Sequence, residues 1–266
     1  CREIPALAAT LEELAGVPED ELEGFKAAAV RDQKTGWKLS LQLPSYLPVM
    51  QYAENRTLRE ELYRAHATRA AEFGKNELDN TPLIRRILEL RDDEAKLLGY
   101  RDFAEVSLIP KMAKSPEQVL SFLRDLADKS LPYAKRDVEE LRDFAREELG
   151  LEKLESWDIP YASEKLRAKR YAFSEQEVKQ YFPEPKVLEG MFRVVETLYG
   201  ISIEPDQAET WDPSVRFFRV RSRDGATIGQ FYLDPYARDT KRGGAWMDEA
   251  LCRRRIADGV QTPVAY

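Results

Sequence analysis

The sequence predicts a mainly α protein, a multi-helical body followed by a small β-sheet region near the C-terminal end. Three observations carry that reading. Apolar residues recur at helical spacing from Arg56 to Phe73 and again from Thr81 to Leu98. Ser115-Pro116-Glu117-Gln118 is a capping box with proline at the first helical position, opening a pattern that runs to Leu149-Gly150. After about residue 200 the texture changes to strand-like runs. The expected organisation is therefore residues 1–200 as a helical body with one short strand region near 37–43, and residues 201–266 as the start of a mixed α/β region.

The elements follow in order. Pro18 and the acidic first turn Glu19, Asp20 and Glu21 suit a helix N-terminus. Trp37, Leu39, Leu41 and Leu43 alternate with polar residues, the period of a half-buried strand, which Pro44 would end at an edge of the first half. Pro82 and Gly99 bracket the helix predicted over 81–98. Pro132 is expected to break or kink the long helix that Ser115 caps. Ser174-x-x-Glu177 is a second capping box, and Lys186–Tyr199 before Gly200 reads as a further helix. Val215–Arg221 and Ile228–Leu233 are strand-like and separated by Asp224-Gly225, a hairpin signal. Ala245–Met247 and Pro263–Tyr266 would add strands to that sheet.

Composition excludes several classes of function. The chain has 266 residues, 43% of them hydrophobic and 33% charged, with no apolar run near the roughly 20 residues a membrane span needs. A membrane partner is not expected. Nor is a nucleic-acid partner, because the net charge is -7 and the basic residues are interleaved with acidic ones. Cys1 and Cys252 stand in no metal-ligand or redox spacing, which fits a reducing, cytoplasmic setting. The chain lacks an initiator methionine and a signal peptide at one end and stops within a strand-like run at the other, so both ends read as cut.

The residues offer little chemistry of their own. A catalytic zinc site commonly takes three protein ligands, often two imidazoles and a carboxylate, and this chain has one histidine. His66 lies in Tyr63-Arg-Ala-His-Ala-Thr-Arg69, with no acidic neighbour, and reads as an ordinary helix residue. A serine or cysteine nucleophile would need an oriented base, and neither a Gly-x-Ser-x-Gly elbow nor a phosphate-binding glycine loop occurs. Nothing singles out a carboxylate pair. The segment of unusual texture is Phe231–Asp248, with Gly243-Gly244 followed by Ala245-Trp246-Met247. It reads either as a substrate-facing edge strand, able to hold an extended peptide by main-chain hydrogen bonds, or as a tight hairpin turn with Trp246 in a core.

The run Gly229-Gln-Phe-Tyr-Leu-Asp-Pro-Tyr-Ala-Arg-Asp-Thr-Lys-Arg-Gly-Gly-Ala-Trp-Met-Asp248 closely resembles the segment that precedes the zinc helix in the thimet oligopeptidase family. Trp157-Asp158 through Tyr161, Glu164-Lys-Leu166 and Tyr181-Phe-Pro183 are similar to further stations of that family in the same order, as is Glu13-Leu-Ala-Gly-Val-Pro18. Pro235, and Pro160 and Ala162 around Tyr161, depart from the family pattern locally. The resemblance implies a mostly α-helical peptidase in which zinc, held by two His and a Glu, activates water to cleave short peptides, the Glu of a His-Glu-x-x-His motif serving as base. No position here matches those residues. The expectation is thus a peptidase piece with no catalytic or zinc residue of its own, inactive alone, with zinc held elsewhere in the parent protein and none bound by this chain. Its partners would be short peptides and the remainder of the parent chain. Gly243, Gly244, Ala245 and Trp246 are the residues carried over, as a lining for substrate. The alternative is a catalytically dead helical module that binds peptides or a partner protein, and a truncated reading frame without function stays open beside it.

Overall fold

The computed structural model describes residues 7–74, 76–172, 175–238, 241–257 and 259–266. It divides into two compact units, Cys1–Ala172 and Phe173–Tyr266.

In the first unit, β1 (Leu7–Ala9) pairs antiparallel with β2 (Trp37–Leu39), and α1 (Glu19–Arg31) lies between them in sequence. Then come α2 (Leu43–Tyr52), α3 (Arg56–Ala67), a short 3-10 turn at Asn76–Leu78, α4 (Thr81–Leu97), α5 (Phe103–Leu108), α6 (Pro116–Leu149) and α7 (Ile159–Tyr171). Leu14, Phe25, Leu39, Leu41, Val49, Met50, Leu58 and Leu62 form one core, and Leu141, Ala145 and Ala162 a second where α6 meets α7. Among the caps, Ser115 Oγ accepts from the Gln118 N–H at 3.2 Å, as the sequence predicts, and Gly150 closes α6 in the left-handed conformation at φ 65°.

Two expectations need correction. The strand predicted over 37–43 is confined to β2, because Ser40 turns the chain: its N–H donates to Ser45 Oγ at 2.9 Å. Pro44 then occupies the first turn of α2 instead of ending a strand. The same fixed φ serves either purpose, and the alternation of Leu39 with Leu41 reflects burial in one core across a turn. Pro132 does not break α6, which stays helical from Pro116 to Leu149. One missing N–H is absorbed by the intact turns on either side.

The unit is fastened by Asp158, just before α7. Its carboxylate is fully buried and accepts from Arg56 Nε at 3.0 Å and Nη2 at 2.7 Å, from Arg59 Nη2 at 2.9 Å and from the Glu155 N–H at 3.1 Å. Arg59, only 1% exposed, directs its other donors to the carbonyls of Ala53 and Trp157, and Tyr161 lies against its guanidinium at 4.2 Å. Burial pushes the Asp158 carboxyl up, but the hydrogen bonds from Arg56, the Glu155 N–H and Arg59 outweigh it and hold the group below the ordinary aspartate range.

The α4 and α6 helices present their apolar stripes outward. Leu83, Ile84, Ile87 and Leu88 of α4 and Leu120, Phe122, Leu123 and Leu126 of α6 are exposed, and only Ala95, Leu141 and Ala145 of the two helices are buried.

In the second unit, α8 (Glu175–Lys179) and α9 (Glu184–Tyr199) precede β3 (Ser202–Asp206), β4 (Arg216–Arg221), β5 (Thr227–Leu233), β6 (Glu249–Leu251), β7 (Arg254–Ile256), β8 (Gly259–Gln261) and β9 (Val264–Ala265). The predicted cap Ser174 lies outside the described residues. Five strands form one sheet in the order β3-β4-β5-β9-β6, with β9 parallel to β5 and antiparallel to β6, while β7 and β8 make a separate hairpin. The β4–β5 turn is the one Asp224-Gly225 predicts, with Gly225 at φ 83° and the Ser222 N–H bonded to the Ala226 carbonyl at 2.9 Å. Phe192 of α9 meets Phe218 and Phe231 edge-on, so α9 covers that face of the sheet.

Replacing Asp158 by Asn leaves Arg59 buried without its charge partner, and the first unit is expected to lose roughly 3–5 kcal/mol in chemical denaturation. Because Asp158 has a depressed folded-state pKa, its contribution is present above the unfolded aspartate value of about 3.9 and lost as pH falls through the lower folded value. The denaturation midpoint should fall with acidity in that range, and Asp158→Asn should flatten the fall.

Candidate functional site

The site is built on strand β5 and the segment that leaves it. Asp234, immediately after β5, gathers that segment: Arg238 binds it through two parallel hydrogen bonds at 2.8 and 2.7 Å, Lys241 Nζ lies 3.1 Å from Oδ1, and Trp211 Nε1 donates to Oδ2 at 3.0 Å. The Arg238 hydrogen bonds, with those of Trp211 and Lys241, hold the Asp234 carboxyl far below the usual carboxylate range. Lys241 also donates to the carbonyls of Asp234 and Tyr236. Tyr236 in turn donates to Glu184 Oε2 at 2.5 Å at the start of α9, where Arg216 pairs with the same carboxylate. Hydrogen bonding to the Glu184 carboxylate raises the Tyr236 phenol and lowers Glu184.

From Lys241 the chain runs to the sheet edge. Gly243, Gly244, Ala245 and Trp246 lie together in an exposed connection with no regular structure. This corrects the strand predicted at Ala245–Met247: the edge strand is β6, four residues further on. Gly244 has φ 102°, which a strand does not take, and an added Cβ there would meet nothing within 4 Å, so the glycine is needed for backbone conformation alone. Asp248 then begins the pairing, exchanging hydrogen bonds with Tyr266 at 2.9 and 3.0 Å. Trp246 is half exposed and edge-on to the Tyr266 ring at 5.4 Å, so it is not a core residue. It ends a row of aromatic contacts, Phe217 to Tyr232, Tyr232 to Trp211, Trp211 to Tyr266, and Tyr266 to Trp246. A shallow apolar hollow of about 380 Å³ lies beside it, lined by Val220, Gly229, Phe231, Pro263, Ala265 and Met247.

The edges of the five-stranded sheet differ. At β3 the outer strand carries Pro205, which has no N–H to offer a further strand. Strand β6 has no proline, pairs among the described residues only with β9, and is exposed along its length, leaving main-chain groups on its outer side able to receive an extended chain.

The chain matches Peptidase family M3 over residues 49–266. The chain belongs to that family. It is 47% identical over 258 residues to the oligopeptidase A of Salmonella typhimurium and 46% identical to that of Escherichia coli, each alignment covering 96% of this chain and 38% of the relative. The probable cytosolic oligopeptidase A of Arabidopsis thaliana is 43% identical over 95% of this chain and 38% of its own length. This M3 chain thus spans about 38% of the length of these curated relatives.

M3 peptidases are zinc enzymes, and the donors of this chain do not fit a two-imidazole zinc site, since it has one histidine. His66 is stacked on Tyr46 at 4.2 Å and held by Arg69 at 3.3 Å, and burial together with that arginine lowers its pKa, so the imidazole is engaged in packing. Among the described residues no group of three His, Cys, Asp or Glu side chains is placed to hold a metal ion.

Sequence reasoning singled out the glycine pair and Trp246 and passed over Asp234, Arg238, Lys241 and Trp211, which tie down the chain before them. The four-residue spacing of Asp234 and Arg238 was the available signal, and Trp211 gave none because it comes from before β4.

Gly244→Ala is expected to cost roughly 1–3 kcal/mol in the second unit from backbone strain alone, measured by chemical denaturation. Asp234→Asn weakens three attachments of the 234–248 segment, and limited proteolysis should cut there several-fold faster than in the unaltered protein.

Proposed function

We propose that this chain is the scaffold and substrate-channel part of a zinc-dependent oligopeptidase that hydrolyses short peptides with metal-activated water. Zinc, its ligands and the general base belong to other parts of a longer chain, and residues 1–266 alone are inactive. The observation that carries the reading is the open β6 edge with the Gly243-Gly244-Ala245-Trp246 connection leading into it. An extended peptide added to that edge would be held by main-chain hydrogen bonds, which are indifferent to sequence, while Trp246 and Tyr266 offer flat apolar surface to its side chains. Such binding suits a peptidase of broad specificity. The family match and the identities to oligopeptidase A support the substrate class.

Short peptides and the remainder of the parent chain are the proposed partners, in the cytoplasm, with neither nucleic acid nor membrane as a partner. No helix among the described residues is long and apolar enough to cross a membrane. The outward apolar stripes of α4 and α6 support a covering segment from the rest of the parent, since contiguous apolar surface of this extent mostly marks an interface. The same stripes favour the second reading, a catalytically inactive helical module whose business is binding a protein partner.

Internally quenched oligopeptides distinguish the two. The longer parent protein is expected to cleave them and to lose the activity with a chelator, while purified residues 1–266 show none with zinc added. Absence of cleavage by the parent, or cleavage by the 266-residue chain alone, overturns the peptidase reading. Trp246→Ala in the parent should raise KM about tenfold, equivalent to roughly 1.4 kcal/mol of lost contact, with little change in kcat. The isolated chain should associate with rising concentration in size-exclusion chromatography.

A further inference from the structure

The second unit has ten arginines: Arg193 lies on α9 and Arg223 in the β4–β5 turn, both exposed, and the other eight fall into two groups. Arg216, Arg219, Arg221 and Arg238 are each paired, with Glu184, Asp206, Glu204 and Asp234 respectively. The side chains of Arg242, Arg253, Arg254 and Arg255 are exposed and make no ion pair or hydrogen bond among the described residues. Three of the second group, Arg253, Arg254 and Arg255, are consecutive. Arg242 precedes Gly243 in the connection that leads to β6, and Arg253 lies two residues past Leu251, where β6 ends. Arg254 and Arg255 continue into β7, whose hairpin is tied back to the end of β6 by Gln261 Nε2, donating to the Cys252 carbonyl at 2.8 Å.

Acidic residues adjoin this group without neutralising it. The Glu249 carboxylate accepts from Cys252 Sγ at 3.1 Å, and Asp248 caps the Glu249 N–H at 2.8 Å. Three guanidinium groups, those of Arg253, Arg254 and Arg255, are thus left in water at the end of one open strand edge, in a chain whose net charge is -7. A peptide paired with β6 would reach the arginine hairpin at the end of the strand, since three residues of strand span only about 10 Å. Guanidinium presents a planar fork of donors that matches a carboxylate, which the neutral peptide backbone does not offer.

We infer that this arginine fringe selects peptides carrying carboxylates, acidic side chains or a free C-terminus, for the β6 edge, an inference that rests on the proposed peptidase reading. Long-range repulsion from an acidic protein would otherwise disfavour such substrates, and the unpaired arginines reverse the sign locally.

The test uses the full-length parent protein and a set of quenched peptides of one length, differing only in Glu against Gln at two positions and in a free against an amidated C-terminus. The Glu peptide should show a kcat/KM about threefold to tenfold above the Gln peptide, the size of one or two exposed ion pairs. That ratio should fall toward one in R253Q/R254Q/R255Q, and in the unaltered protein as salt rises to about 1 M, where the Debye length is about 3 Å. A ratio near one throughout, or one that survives both the substitution and the salt, overturns the inference. Sensitivity to amidation alone assigns the fringe to the C-terminal carboxylate, and sensitivity to Glu alone to side chains. Each ratio is internal to one protein sample, so a variant that folds only in part still yields a usable ratio, and salt dependence decides if it does not fold. If neither peptide is cleaved, the peptidase reading fails separately, and fluorescence anisotropy with the same peptides decides the arginine fringe by whether Glu binds more tightly than Gln. A short DNA duplex that competes as well as the Glu peptide would point to general polyanion binding and overturn the peptide assignment.

Discussion

A fully buried aspartate holding its charge is costly unless every lone pair it offers is used, and the first unit is arranged around meeting that demand at Asp158. Two arginines from α3 and a backbone N–H from the preceding turn converge on it, joining positions about a hundred residues apart in the chain. Arg59 is equally buried, so the arrangement is mutual: neither charge is tolerable without the other, and both require Ala53, Trp157 and Tyr161 where they are. The Trp157-Asp158 and Tyr161 positions, similar to a family motif, therefore carry architecture here. They hold α7 against α3 and close the core over Leu58 and Leu62.

The second unit repeats the device in a milder, half-exposed form. Asp234 takes two arginine hydrogen bonds, a lysine and an indole N–H, and so ties down the described residues just after β5, which form no helix or strand. That matters for the site, because Gly243-Gly244-Ala245-Trp246 are exposed and contribute few contacts to their own placement. An exposed loop has to be anchored from its flanks. Asp234 fastens one flank and the Asp248–Tyr266 pairing fastens the other.

Apolar surface is distributed in a way that fits a chain spanning 38% of its relatives. The 43% hydrophobic content would fill a large core in a chain of this length, yet α4 and α6 turn most of their leucines and isoleucines outward. Helical periodicity reports that a face is apolar, and it is silent on what covers that face. The pattern over Thr81–Leu98 was therefore legible as a helix while its burial was not.

The sequence by itself determined the elements governed by local rules. Ser115 and Pro116 start a helix because a side-chain oxygen and a fixed φ satisfy its first turn, Gly150 and Gly200 end helices because they enter the left-handed region freely, and Asp224-Gly225 turns the hairpin for the same reason. One histidine likewise ruled out a two-imidazole zinc site without any coordinates. Ambiguity arose wherever one local signal serves two structures: Pro44 starts a helix as readily as it stops a strand, and Gly243-Gly244 permits a strand or a loop. Tertiary structure decided those cases, and it alone decided that β6 is the open edge, that β9 enters parallel beside β5, and that Trp211 reaches Asp234 from another segment. The physical reason is that strand partners and buried charges are chosen across long separations, by which groups can be satisfied together, and no window of sequence contains both halves of that choice.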